Sequence, residues 1–422
     1  MAQHDVGEVP ADQTIGPGLR AAIVHYGEGA EPDPGHRSHR AGRLAAALVA
    51  AGCEVTRIVP SYRVWDGVQR PTDWTGLVGD EGRLVVVPTR AYRNTRGRDR
   101  AGSLMDFNRG VARALGSAPT PDLVMMGFPP PGLLRAVRSV APEAAVIADI
   151  RDLWPDALVP GGTVGRILAA PARLAGGLLA RELRRADAVV ALSATMLDRA
   201  PAGAPVTRII PIGFEPLDLA DRAQWPEGET PLTACFVGSM TQLFDFDAML
   251  RGWSRFVADR GGDGPMPRLV VVGDGEQRAI VDRLAAGEPT VACTGWILGD
   301  QVAAHLHRAD VGLAPTRTGQ GTTLSNKVSE YLAAGMWVIN TLTPSVGGPL
   351  STQGLGDCID STPEAWAAAF ARAEQALPRL RAGRAARLAE ADRHYGSGQT
   401  NVAWFDLIAE VLAARADRRP RS

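Results

Sequence analysis

The chain has 422 residues, 45% hydrophobic and 22% charged, a length that supports two or three domains of about 100 to 200 residues each. Its 45 Lys and Arg nearly balance 46 Asp and Glu, for a formal net charge of -1. There is thus no overall basic field of the kind that drives nucleic-acid binding, and nucleic acid is not an expected partner. Four cysteines (Cys53, Cys235, Cys293, Cys358) stand far apart beside apolar runs with no C-x-x-C pair, which reads as small hydrophobes in a reduced, cytoplasmic setting.

Residues 1–18 carry His4, Asp5, Glu8 and Asp12 with two prolines and no apolar core, and are expected to be a disordered tail rather than a signal peptide or membrane span. Apolar strand-like runs then alternate with alanine- and leucine-rich helical patterns, the signature of parallel sheets covered by helices. Strands are expected at 21–25, 54–59, 84–88, 123–126, 145–150, 188–192 and 208–210, with helices at 38–51 and 104–115. The pattern restarts with strands at 232–237, 268–272, 290–294, 311–314 and 337–341, and helices near 247–259, 276–286, 301–307 and 324–334. Between the halves, 211–231 is rich in proline and charge and has neither periodicity, so it reads as a linker. The expected architecture is α/β, with two Rossmann-like, doubly wound domains facing a cleft. They cover 19–212 and 232–395 around a linker at 213–231, with a C-terminal helix at 396–422 packing back toward the first domain. In such sheets ligands bind at the carboxyl ends of strands. Every apolar stretch is broken by charge well short of about 20 residues, so no membrane-spanning helix is expected.

The run from Ser325 to Ile339 reads as a loop opening a short helix that carries Lys327 and Glu330, stops at Gly335 and enters an apolar strand. Unpaired N–H groups and the positive dipole end at the helix start would stabilise a phosphate, with Lys327 adding a full charge. Glu330, three positions on, shares a face with Lys327 and suits sugar or ribose hydroxyls. A nucleotide sugar offers both groups, although an exposed surface ion pair would give the same spacing. Other loops carry two readings each. Gly273-Asp274-Gly275 is either a tight turn or a backbone lining of the site. Trp296 and Ile297 are either core or the support of a nucleotide base. Gly35 permits close backbone approach to phosphates and Ser38 suits a helix cap, while His36 is either catalytic or a solvated loop histidine. Arg151-Asp152 follows the strand ending at Ile150 and makes either a local ion pair or an acceptor contact.

The segments FVGSM (236–240), VVVGDG (270–275), TGW (294–296) and NKVSEYLAAGMWVIN (326–340) resemble the C-terminal half of family 4 glycosyltransferases of the GT-B fold. The first half agrees: 33–59 resembles the opening glycine loop and helix of that family, and DIRDLWPDAL (149–158) resembles a motif of its O-antigen and exopolysaccharide branch. The resemblance covers about residues 20–410. It implies a retaining, metal-independent transferase that moves a sugar from a UDP- or GDP-sugar to a small-molecule, glycan or lipid-linked acceptor, without a cofactor. Glu330 then holds the donor ribose. The expected first glutamate falls on Thr322, a departure that leaves Thr322 and Thr323, followed by Leu324 and Ser325, to meet donor hydroxyls or phosphate. After Gly238 the family's arginine and lysine are replaced by Ser239 and the stretch 242–245, so Lys327, with Arg317 as second candidate, is left to supply the charge. Arg151, Asp152 and His36 fall on the acceptor side.

Two rival readings follow from the same residues: a non-catalytic nucleotide-sugar-binding partner of another transferase, suggested by Thr322, and a nucleotide-sugar epimerase, for which no extra acid/base set is evident. Asp245-Phe246-Asp247 matches a D-x-D metal pattern, but its place before a helix favours capping, and no tightly bound metal is expected. Arg173, Arg181 and Arg184 lie opposite Leu174, Leu178, Leu179 and Leu183 on one helical pattern, which is either a solvated face or a peripheral contact with an anionic membrane surface.

Overall fold

A computed structural model describes residues 15–34, 36, 38–92, 97–152, 174–198, 206–217, 230–260, 264–297, 299–320 and 322–418. The apolar runs form buried strands and the alanine-rich stretches between them form helices. The strands are β1 (Arg20–Val24), β2 (Glu54–Pro60), β3 (Val78–Gly79), β4 (Gly82–Val87), β5 (Leu123–Phe128), β6 (Ala145–Ile150), β7 (Ala188–Ala191), β8 (Thr207–Ile209), β9 (Thr233–Val237), β10 (Arg268–Val272), β11 (Val291–Gly295), β12 (Val311–Ala314), β13 (Trp337–Asn340) and β14 (Gly356–Cys358). Helices are α1 (Arg40–Ala50), α2 (Arg98–Gly116), α3 (Leu133–Val140), a helical stretch at 174–183 (α4), α5 (Ala194–Leu197), α6 (Phe246–Asp259), α7 (Arg278–Ala285), α8 (Gly299–Arg308), α9 (Asn326–Ala333), α10 (Pro344–Thr352), α11 (Pro363–Gln375), α12 (Leu377–Ala382), α13 (Arg384–Tyr395) and α14 (Ser397–Arg418).

The chain divides into two units, one of Met1–Pro211 with Thr400–Ser422 and one of Ile212–Gln399. In the first, eight strands run in the order β3-β4-β2-β1-β5-β6-β7-β8, parallel except for the β3–β4 edge pair. Every residue of β5 and β6 is buried, as expected of strands covered on both faces. One face packs Ile23, Val55, Met125 and Ile147 against Leu44 and Leu48 of α1 and against Trp404, Phe405, Leu407, Ile408 and Val411 of α14. In the second unit, six parallel strands run β11-β10-β9-β12-β13-β14. Alternate residues of its strands enter opposite cores: Phe236, Val271, Leu313 and Ile339 join Trp253 of α6 and Trp366 of α11, while Cys235, Val237, Ala314 and Val338 join Val328, Tyr331 and Leu332 of α9. Both units are mixed α/β with a predominantly parallel sheet.

Three expectations are corrected. Residues 15–18 are not tail: Ile15 is buried in the first core, and the Gly18 N–H donates to the Gly52 carbonyl. The start of the expected linker is core as well, because Phe214 is an apolar side chain with a place in the second unit, and the Leu217 N–H donates to the Ala333 carbonyl; 218–229 lie outside the described residues. Finally, α2 starts at Arg98 rather than 104. Its first turn is polar and shows no apolar period, yet Asp99 suits the positive helix start.

Candidate functional site

In the second unit the sheet order restarts from β9 in both directions, so β9 and β12 flank the switch point at which open parallel sheets bind ligands. The two strands pair only at Val311↔Ala234 and Gly312↔Cys235. Past that point Tyr331 of α9 bridges them. Its hydroxyl donates to the Leu313 carbonyl at 3.1 Å and accepts from the Val237 N–H at 2.9 Å. Gly312 leaves room for this ring, since a Cβ there would lie 2.3 Å from it.

Helix α9 starts beside this gap. Ser325 holds the extended N-cap conformation, but its side chain makes no cap hydrogen bond, and the first N–H groups of a helix have no intrahelical partner. Lys327 is 9% exposed, and its ammonium lies 3.6 Å from the centre of the Phe244 ring and 5.0 Å from that of Phe236. Burial pulls its pKa down to about 7, against the opposing attraction of Glu330. Burial together with the Glu330 charge pushes the Cys235 thiol up to about 12. Thr322, Thr323, Leu324 and Ser325, all half-buried, form the approach to α9. Thr323 donates its hydroxyl to the Leu324 carbonyl at 3.2 Å.

The glycine loops close around the same place. Gly238 has φ 132°, and a Cβ there would meet Lys327 Cε at 3.2 Å and Nζ at 3.5 Å; its backbone therefore sits directly against the lysine. Gly273, with φ 131°, would place a Cβ 2.1 Å from the Gly238 carbonyl oxygen. The Gly238, Met240 and Gly273 N–H groups donate to Val272, Asp274 and Gly295 carbonyls at 3.0, 2.8 and 2.9 Å. The exposed Ser239, not Gly238, is thus the position where that loop has an N–H outside this lacing. Gly275 abuts the Met240 backbone. Trp296 is 56% exposed and is therefore not core, while Ile297 is partly buried against the second-unit core. Arg317 braces the loop after β9, donating from Nε to the Gln242 carbonyl at 2.9 Å and from Nη2 to Gln277 Oε1 at 3.4 Å.

The first unit gathers the other sequence-derived residues, with partners that sequence reasoning missed. His36 Nε2 lies 2.9 Å from Glu81 Oε1, which also accepts from the Ser38 hydroxyl at 2.8 Å, while Glu81 Oε2 accepts from Arg57 Nε at 3.1 Å. Burial alone would raise the Glu81 carboxyl, but His36 and Arg57 hold it below its ordinary value. Arg151 donates to Glu28 Oε1 at 2.8 Å and lies 3.5 Å from Asp149 Oδ2. Asp149 in turn receives both Nε and Nη2 of Arg40 at 2.8 and 2.9 Å. Burial opposes ionisation of Glu28, yet His25, Arg151 and Arg57 keep its carboxyl well below the usual range. Burial lowers the His25 imidazole to about 4, with Glu28 opposing the shift. A signal for two members existed: Asp149 interrupts an otherwise apolar strand, and Arg57 directly precedes the apolar end of β2. Asp152 is exposed at the strand's end. Gly35 and 153–158 lie outside the described residues, as does Arg173. In α4, Leu179 and Leu183 are buried, but Leu174 and Leu178 are exposed with Arg181 and Arg184, so the apolar side is split rather than wholly buried.

Asp245 caps α6 by accepting from the Ala248 N–H at 3.3 Å, and Asp247 pairs with Arg251 at 2.9 Å. Among the described residues, no group of three or more His, Cys, Asp and Glu could hold a metal ion, and no helix is long and apolar enough to cross a membrane.

Comparisons with known proteins bear on the domains and the fold. Residues 38–213 match the glycosyl transferase 4-like domain, and 231–375 match glycosyl transferases group 1. No curated protein matches the sequence. Among solved structures, the fold is similar to sucrose-phosphate synthase from Thermosynechococcus elongatus (TM-score 0.68, 17% identity, covering 94% of this chain and 100% of that one). It is also similar to Anabaena HepE in complex with UDP (0.61, 12%, 94% and 100%). A third is WaaG, a glycosyltransferase involved in lipopolysaccharide biosynthesis (0.64, 17%, 92% and 99%). These neighbours share the GT-B fold.

Proposed function

Because its glycosyl transferase 4-like and group 1 domains make this chain a member of the glycosyltransferases, we propose that it is a retaining, metal-independent enzyme that transfers a sugar from a UDP- or GDP-sugar to an acceptor. The observation that carries this reading is the buried Lys327 under the Gly238 backbone, at the start of α9 and beside the β9/β12 switch point. As the sugar leaves, charge grows on the diphosphate. Lys327, the first N–H groups of α9 and the Ser239 N–H are the donors that stabilise it. Glu330, one helical turn beyond Lys327, accepts from the ribose hydroxyls. The UDP bound to HepE supports uridine as the base, and the exposed Trp296 offers a face for it.

On the acceptor side, Arg151, Asp152 and His36 are the proposed contacts, with Glu28 and Glu81 fixing Arg151 and His36. The departing phosphate takes the acceptor's proton, so the described cluster needs no further base. The acceptor is a small molecule, a glycan or a lipid-linked sugar. Exposed Leu174 and Leu178 next to Arg181 and Arg184 support a cytoplasmic protein resting on the inner face of a membrane.

Titration with a panel of nucleotide sugars, read by thermal shift and by product formation, tests the reading. UDP-sugars are expected to stabilise the protein, and Lys327→Ala and Glu330→Ala each to abolish both stabilisation and turnover. Full activity in both variants would overturn the site. Thr322, standing where the family has a glutamate, favours a second reading as a non-catalytic nucleotide-sugar-binding subunit. Binding without hydrolysis or transfer of any donor would establish that reading instead.

A further inference from the structure

The loop after β9, where the resemblance implies an arginine and a lysine, holds an aromatic ring against the buried lysine of the site. Thr241–Phe244 is tied down at several points. Gln277, 1% exposed, donates from Nε2 to the carbonyls of Thr241 and Phe244, the latter at 3.0 Å. The Arg317 N–H donates to the Leu243 carbonyl at 2.9 Å, its Nε to the Gln242 carbonyl at 2.9 Å, and Phe244 pairs with Thr316 in an isolated bridge. The ring so fixed is 5% exposed, with Phe236 edge-to-face at 5.5 Å and Phe246 at 6.1 Å. A lysine side chain has four rotatable bonds, and an ammonium out of water needs a compensating partner to stay in one place. The Phe244 face, 3.6 Å from Nζ, is such a partner.

We propose that Phe244 is a positioning residue for Lys327, its ring face holding the ammonium beneath Gly238 so that a single cation stands where two basic side chains of the loop would otherwise meet the diphosphate. Gln277 and Arg317 act one step further out by holding the loop that carries the ring. Arg317 is on this assignment a brace and not a phosphate ligand. A core-filling role for Phe244 makes a different prediction, since leucine fills much of the same apolar space without a π face.

The assignment rests on reading Lys327 as the cation for the diphosphate, and the test separates the two. UDP affinity of the full chain is measured calorimetrically for the parent, Lys327→Met, Phe244→Leu, Phe244→Tyr and the double variant Lys327→Met/Phe244→Leu, with thermal melts confirming that each is folded. Phe244→Leu is expected to weaken UDP about tenfold, Phe244→Tyr to retain parental affinity, and Phe244→Leu to have no further effect once Lys327 is Met. Parental affinity in Phe244→Leu, or an equal loss in the Lys327→Met background, overturns the positioning role while leaving the donor site standing. Parental affinity in Lys327→Met overturns the donor-site reading and this assignment with it.

Discussion

Lys327 is held where its protonation state is in play at neutral pH. Its ordinary value of 10.5 is lowered to about 7 by burial, with Glu330 opposing the shift. A bound diphosphate prefers the charged form, so UDP affinity is expected to rise as pH falls from about 9 toward 7, by at most about tenfold per unit, and to level off below. Binding near pH 8 takes up a proton, which calorimetry in buffers of different ionisation enthalpy detects, and Lys327→Met abolishes the uptake. Stability without ligand has the opposite sign. Between pH 7 and 10.5 the unfolded lysine holds a proton that the folded one lacks, so this residue's contribution to stability rises with pH across that window. Lys327 and Glu330 were legible as a pair because one helical turn separates them. Phe244 was not: only the ties from Gln277 and Arg317, 33 and 73 positions later, aim its ring. The same holds for Glu28 and Glu81, which meet Arg151 and His36 across 123 and 45 positions.

At the scale of elements, the sheet opens where β9 and β12 part, and one hydroxyl closes the gap. Tyr331→Phe leaves the Val237 N–H and the Leu313 carbonyl buried without their partner, which costs about 1–3 kcal/mol of unfolding free energy, read as a lower midpoint of urea unfolding. Because the end of β9 carries Gly238, UDP affinity is expected to fall as well. An unchanged midpoint would mean that another group satisfies both atoms. Strands such as β5 and β6 could be read from the sequence because burial on both faces makes them continuous apolar runs. The two-residue edge strand β3 has no run to read, and the polar first turn of α2 has no period. Phe214 and Leu217 were hidden among prolines and charges because an apolar residue outside any periodic pattern leaves no sign of which core it enters.

At the scale of the whole molecule, the chain leaves the first unit at Pro211 and returns to it from Thr400. The return segment is structural. Trp404, Phe405, Leu407, Ile408 and Val411 are each at most 2% exposed and pack with β1, β5, β6 and α1. At roughly 1.5–3 kcal/mol for each large apolar side chain buried, the five together are comparable to the whole stability of a domain, about 5–15 kcal/mol. Trp404 also covers the fully buried Arg40–Asp149 pair, with the Arg40 guanidinium 4.9 Å from its ring centre. Its removal would let water reach one ion pair and strip a face from the core beside it. The second unit is continuous in sequence, has its own core on each face of its sheet, and contains every residue assigned to the donor except Gly35, which belongs to the first unit. Ending the chain at residue 399 is therefore expected to unfold the first unit. The segment Ile212–Gln399 expressed alone should fold and bind UDP with affinity comparable to the full chain while transferring no sugar. Circular dichroism, hydrogen exchange and UDP calorimetry on the two truncations check this. A cooperative, native-like first unit in the 1–399 chain would show that α14 is dispensable, and loss of UDP binding by the isolated second unit would place part of the donor site in the first.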